Sequence, residues 1–305
     1  MLISIGELLV DIFDDGNSKV ALPGGAPFNV ACNALLYTRD VSFVGAIGKD
    51  EYGKLLLDFA RSKSFKKLYI KELSDHYTSK AIVTLDHGER SFKFDRDADY
   101  RLSIDDINFN DIHDKDIVHL GSLMLSFKEG VTFYKEAIKR IKAISKAKIS
   151  FDINYRSDIF KSQDEAKKVF IDALALADII KFSLEDIELL MGTSDVEQAL
   201  ASLLNENQIA VVSLGSDGSM YYKNGHIVKA ETHKLTPIDT TGAGDAFYSY
   251  FLASLVNEPT LVNSDERIRH YLLRANVAGG LTTLKKGAIN AAPTEEEIDS
   301  YLASF

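Results

Sequence analysis

The run Asp239-Thr-Thr-Gly-Ala-Gly-Asp-Ala-Phe247 decides how the rest of the chain is read. Beyond it Phe247, Phe251 and Leu255 recur four apart, with Tyr248 and Leu252 on an adjacent stripe, so a largely buried helix follows. The small residues ahead of that helix let the backbone pass close to a ligand. A helix's first turn leaves N–H groups unpaired and carries a partial positive charge, which suits an anion. A carboxylate there, Asp245, gains from the same dipole and is expected to stay ionised. An ionised Asp beside a nest of amides pairs a base with a stabiliser of negative charge, the combination phosphoryl transfer requires. In isolation the run is equally well a tight turn followed by a capping Asp. No Gly-Lys-Ser/Thr follows, so it is not a P-loop.

Outward from this run, short apolar stretches alternate with longer ones of helical spacing. Leu2–Ile5, Val41–Ile47, Ile117–Leu120, Ile149–Ile153, Ile179–Phe182 and Ile209–Leu214 read as buried strands. Helical patterns cover 51–62, 129–143, 164–176, 186–190 and 196–204. Ser194-Asp-Val-Glu197 and Thr294-Glu-Glu-Glu297 have capping-box spacing and mark two further helix starts. Such alternation predicts an α/β fold with a mostly parallel central sheet flanked by helices. Two stretches break it. Residues 12–22 and 68–96 read as strand and turn, with Asp86-His-Gly-Glu89 as a hairpin connection, and predict a small β-rich lid. Asn224-Gly225 marks another hairpin between 219–222 and 226–230. With no repeat or linker to divide it, the chain reads as one domain over 1–305.

Bulk properties narrow the function. The 305 residues carry a net charge of −10, which argues against a nucleic-acid or anionic-membrane surface. The only cysteine, Cys32, excludes an internal disulfide and fits a reducing compartment. The Met1-Leu-Ile-Ser-Ile-Gly start lacks signal-peptide features, and no apolar run is long enough to span a bilayer, so a cytoplasmic location is expected. His76, His87, His113, His119, His226, His233 and His270 lack close metal spacing, which argues against zinc. Lys139, Arg140, Lys142, Lys146 and Lys148 read as a solvated face.

Four other stretches carry chemistry, each with a plainer alternative. Pro23-Gly-Gly-Ala-Pro-Phe-Asn29 sets two glycines and an Asn before an apolar helix, or is a helix cap. Phe151-Asp-Ile-Asn-Tyr-Arg156 ends a strand where ligands of open α/β sheets bind, though Asn154 and Arg156 also suit a strand end at the surface. Lys181-Phe-Ser-Leu-Glu-Asp186 offers Ser183 and Asp186 at N-cap spacing, and capping alone accounts for them equally well. Val211-Val-Ser-Leu-Gly-Ser-Asp-Gly218 runs into a turn that could pass a nucleotide.

In this order the pieces resemble the ribokinase-like (PfkB-type) carbohydrate kinases, from Gly6-Glu7 to Lys286-Gly287-Ala288. Gly24-Gly-Ala-Pro-x-Asn29, Phe94-x-Arg96, Ala98-Asp99 with Leu102, and Gly121-Ser122 are similar to the fructokinase branch. The resemblance implies ATP as phosphoryl donor, Mg2+ with it, and a small sugar as acceptor. D-fructose giving fructose 6-phosphate leads; ribose, 2-keto-3-deoxygluconate, a riboside or a non-catalytic binding role are the alternatives. It implies Asp245 as general base, with the amides of Gly242, Ala243 and Gly244 as the anion hole. Asp11, Gly24, Gly25, Asn29 and Arg96 fall at sugar positions; Asn154 and Arg156 lie by the triphosphate; Gly215, Gly218 and Asn276 border adenine and ribose. Ser183 and Asp186 take the places of the family's Asn and Glu, which reach magnesium through water; the shorter Asp makes that role less secure. Asp239, Thr241, Thr282, Lys285 and Gly287 fall where a monovalent cation, potassium, is held mainly by backbone carbonyls. A homodimer through the lid is the implied assembly.

Overall fold

A computed structural model describes residues 1–14, 19–86 and 89–304. Among these residues thirteen strands form two sheets. The first half supplies β1 (Leu2–Ile5), β2 (Leu9–Asp14), β3 (Lys19–Gly24), β4 (Val41–Gly48), β5 (Lys67–Leu73), β6 (Lys80–Asp86) and β7 (Glu89–Asp95). The second supplies β8 (Ile117–Leu120), β9 (Lys148–Asp152), β10 (Ile179–Ser183), β11 (Ile209–Ser213), β12 (Ser219–Lys223) and β13 (His226–Ala230). The larger sheet runs β13-β12-β11-β10-β9-β8-β1-β4-β5. It is parallel from β11 to β5, and only the β11–β12–β13 meander is antiparallel. From β1 the chain winds outward one way through β4 and β5, and the other way from β8, so strand order reverses beside β1. Open α/β sheets bind ligands at such a point, beyond the carboxyl ends of the strands.

Strand periodicity explains the two cores. Successive side chains alternate faces, so Leu2, Phe43 and Val211 pack on one side while Ile3, Val44 and Val212 pack on the other. Against the first face lie α1 (Ala26–Ala34), α2 (Glu51–Arg61), α7 (Ala243–Asn257) and α8 (Asp265–Thr282), through Phe28, Leu56, Phe251 and Leu272. Against the second lie α3 (Lys128–Ile144), α4 (Gln163–Leu174), α5 (Leu184–Met191) and α6 (Val196–Leu203), through Phe133, Phe170, Ile187 and Leu200. Each such fully buried side chain contributes roughly 1.5–3 kcal/mol relative to exposure. The chain closes with α9 (Glu295–Leu302), whose start has the expected capping box between Thr294 and Glu297.

The smaller sheet, β3-β2-β6-β7, is mixed: β2 and β6 run parallel, and the outer pairs antiparallel. Its boundaries differ from the expected lid. The stretch 67–73 belongs to the larger sheet, because the α2 crossover returns it parallel to β4. The lid is therefore built from 9–14, 19–24, 80–86 and 89–95; residues 15–18 and the expected hairpin connection at His87-Gly88 lie outside the described residues. Leu9, Ala81 and Leu123, with Phe94 and Ile159, form the apolar seam joining it to the core. One expected cap also moves. Asp195, not Ser194, caps α6, its carboxylate accepting from Gln198 N at 3.1 Å. The Asn224-Gly225 hairpin forms as expected, both residues at positive φ.

Candidate active site

A cavity of about 1110 Å³ opens over the strand ends between the two sheets. Its floor is the start of α7. Gly242 is the cap residue, at φ 78°, and makes no side-chain cap. A Cβ there would sit 2.5 Å from Ala288 Cα, so only glycine fits. Two residues on, Gly244 N–H lies ahead of the helix's own acceptors, whereas Ala243 N–H donates to Thr240 O at 3.3 Å. Asp245 occupies the third helical position and turns into the cavity.

There it meets Asn29, whose Nδ2 donates to Asp245 Oδ2 at 2.8 Å across 216 positions of sequence. Asn29 is 5% exposed, in the first turn of α1, where Gly25 (φ 107°) is the cap and packs its bare Cα on the Glu7 carbonyl. Asp11 lines the same end from β2, its carboxylate lying where a Cβ on Gly24 would be. Burial pushes Asp245 above the ordinary carboxylate range, against the Asn29 hydrogen bond and the charges of Lys181 and Arg156. The sequence expectation, an acid held ionised by the helix dipole, is thus incomplete. Enclosure in the cavity is the larger influence. Asp11 is likewise pushed up to about 7 by burial and by Asp245 beside it. At the opposite end Asn154 and Arg156 follow β9, Ser183 ends β10 with Asp186 just beyond it, and Gly215, Gly218 and Asn276 line the far wall. Asp245, at the start of α7, thus stands between the end lined by Asp11, Gly25 and Asn29 and the longer end lined by Asn154, Arg156 and Gly215.

The sequence model of the pfkB family carbohydrate kinases matches residues 9–295. The chain belongs to that family. A probable fructokinase-2 of Arabidopsis thaliana is 34% identical over 315 aligned positions, covering 99% of this chain and 95% of that one. The structure is similar to a fructokinase with bound ATP from Xylella fastidiosa, with a TM-score of 0.89, 26% identity, and 99% and 98% of the two chains covered. It is also similar to the Vibrio cholerae O395 fructokinase in its fructose, ADP and calcium form, with a TM-score of 0.88, 29% identity, and 99% and 98% covered.

Several site residues of this kinase sit differently from their sequence expectation. Arg96 is absent from the cavity lining. Its guanidinium pairs with the buried Asp99 and donates to Leu123 O at 3.0 Å and Ser126 Oγ at 2.8 Å, bracing the lid against the segment after β8. Asp186 is 2% exposed and divided between its own cap and a neighbouring turn: Oδ2 accepts from Ser183 N and Oγ at 2.7 and 2.8 Å, and Oδ1 from Tyr155 N at 3.2 Å. It thereby fixes the turn in which Asn154 adopts φ 40°. Asn276 lines the far wall, its Nδ2 donating to the carbonyls of Ala230 and Glu231 at 3.0 and 3.3 Å. Asp239 ties two loops together, accepting from Thr241 N at 2.9 Å and Gly287 N at 3.2 Å. Thr282 Oγ1 donates to Ala278 O, and Lys285 reaches outward to Glu297.

Sequence reasoning passed over one pair. Lys181 on β10 and Asp152 on β9 are register partners, both buried, with Nζ 3.1 Å from Oδ1. A signal was present: a Lys inside the apolar run Ile179–Phe182, since lysine is almost never fully buried unless paired.

Proposed function

We propose that this kinase phosphorylates D-fructose with ATP, giving fructose 6-phosphate, with Asp245 as the general base. The observation that carries the reading is the Asn29–Asp245 hydrogen bond. It joins the acceptor end, formed by Asp11, Gly25 and Asn29, to the amide-lined start of α7. A sugar hydroxyl between them would lie within reach of a carboxylate oxygen, and the phosphoryl group it attacks would face the N–H groups of the first turn. The fructokinase relatives, one holding ATP and another fructose and ADP, favour this acceptor and donor over a riboside or ketodeoxysugar. Enclosure raises Asp245's proton affinity, which makes it a stronger base once ionised.

Magnesium is the divalent ion this reading implies. Both Asp186 oxygens are already occupied, and no cluster of three or more His, Cys, Asp or Glu side chains suited to a metal occurs among the described residues. That fits an ion carried by the triphosphate and water, with Asp186 contributing charge at a distance. When bound, it would neutralise phosphate charge. Potassium would be held by carbonyls of the 239–242 and 282–288 loops that Asp239 draws together. The reading extends to a homodimer through the lid, whose strand β3 exposes Val20 at 49%.

An ATP-coupled assay over fructose, ribose, 2-keto-3-deoxygluconate and tagatose, run beside Asp245→Asn, tests the reading. Turnover is expected with fructose, with kcat lowered about 10²–10⁴-fold in the variant. Inert fructose beside an active second sugar rejects the acceptor, and near-parental turnover by the variant would falsify the base.

A further inference from the structure

Beneath the amides of α7 lies a cation that the mechanism above does not use. Lys181 reaches the cavity floor from β10 with 5% of its surface exposed. A Cβ placed on Gly244 would stand 3.2 Å from its Nζ and 3.7 Å from its Cε, so the ammonium lies against the first turn of α7. Glycine at 244 is what leaves room for it.

The surroundings assign the charge a task. Burial opposes an ammonium, but Asp152, Asp186 and Asp245 outweigh it and hold Lys181 above the usual lysine range. Asp152 Oδ1, 3.1 Å from Nζ, can engage one of the three N–H donors of the ammonium. The ammonium therefore retains donor capacity, and it borders the cavity. Arg156 and Lys234 also line the cavity, but both are exposed, and Arg156 donates to its own neighbour Tyr155 O at 3.1 Å. Of the lysines and arginines that line the cavity among the described residues, Lys181 is the one that is buried. A buried charge also acts through a lower dielectric than an exposed one.

We propose that Lys181 is a catalytic residue of this kinase, its ammonium donating to the transferred phosphoryl group while Asp152 holds it in place from below. The proposal rests on the reading of α7 as the phosphoryl site. In the step, a lone pair of the sugar hydroxyl oxygen forms the new P–O bond. The bond from phosphorus to the β,γ-bridging oxygen breaks, and its electron pair leaves with ADP. The hydroxyl proton passes to Asp245. Lys181 keeps its own proton and offsets the charge on the phosphoryl oxygens.

The competing account is a buried ion pair that serves only the fold. Removing one partner of such a pair is strongly destabilising whatever its role. The test therefore centres on the double variant Lys181→Met/Asp152→Asn, which removes both charges together, with Lys181→Met beside it. The parental melting transition is expected to return in the double variant while kcat stays about 10²–10³-fold low. Affinity for the β,γ-imido analogue of ATP should fall about tenfold or more, with ADP affinity held within about twofold, because only the former presents a γ-phosphoryl group. A double variant that melts normally and turns over within about threefold of the parent overturns the proposal, as does an equal loss of both nucleotides. The binding contrast needs no general base. Should Asp245→Asn prove active, the assignment of the base fails while the Lys181 proposal is still judged on its own.

Discussion

Two helices open onto the cavity with an aspartate at the same place, three residues past the cap, and their ends are built for opposite purposes. In α5 the cap is Ser183, and Ser183-Leu-Glu-Asp186 closes on itself: Asp186 N donates to Ser183 Oγ at 3.2 Å while Asp186 Oδ2 takes the Ser183 N–H. In α7 the cap is Gly242, in the left-handed region and without a side chain, and Gly242-Ala-Gly-Asp245 stays open. Asp245 reaches across the fold to Asn29 instead of back to its own cap. Whether a first-turn carboxylate turns back on its own cap or reaches into the cavity thus follows the residue three positions before it. A hydroxyl there consumes the acid and an amide together; a glycine leaves both to a ligand.

The most damaging way to erase this difference is to give α7 the cap of α5. Gly242→Ser sets Ser-x-x-Asp at the phosphoryl site, but its Cβ meets Ala288 and a left-handed backbone. We expect kcat to fall about 10²–10³-fold, comparable to losing an anion-hole donor, with the fructose KM changed far less; steady-state kinetics check it. Asp186→Asn works on the other helix. One neutral oxygen cannot replace a carboxylate that accepts from Ser183 and Tyr155 together, so the Asn154–Arg156 turn loosens. The ATP KM should rise about tenfold, with a stability loss of about 1–3 kcal/mol in a denaturant titration. Smaller again is Ser183→Ala, which removes a cap and little else. It should cost about 1 kcal/mol, roughly 2 °C in melting temperature, and leave kcat within about twofold. A tenfold loss of kcat there would show that α5 shares the chemistry.

The comparison also marks what could be read before the fold was known. Asp245, the glycines before it and the strand-end Asn154 and Arg156 were legible because each follows from local rules: small residues ahead of a helix, polar groups after an apolar strand. The parallel sheet was legible from the alternation of strands and helices. The lid boundary was not, because whether 67–73 joins one sheet or the other depends on where α2 delivers it. Arg96 was misplaced for a related reason. An arginine beside a lid could face the sugar or Asp99, and only packing around Leu123 and Ser126 decides. Lys181 needed Asp152, 29 positions earlier, to be intelligible as a buried charge. Both helix ends satisfied the sequence rule for an acid in the first turn; the three-dimensional partner of each acid separated them.

The finest test of the difference is the pH dependence of the two acids' neighbours. Burial raises the proton affinity of Asp245, and the Asn29 hydrogen bond lowers it because that bond is made to the ionised carboxylate. Catalysis needs the ionised form, so kcat/KM falls as pH falls through the Asp245 value, which lies above the ordinary 3.8. Asn29→Ala removes an influence that favours ionisation, so the acid limb must move upward, toward neutral pH. The ratio of kcat/KM on the acid limb to that on the plateau, taken at fixed pH values, should drop below the parental ratio, whatever the variant loses in absolute rate from weaker sugar binding. Ser183→Ala, acting on an acid that takes no proton in the reaction, should leave the ratio where it was. A limb that moves with Ser183 and not with Asn29 would mean that the titrating base belongs to α5, reversing the roles of the two helices.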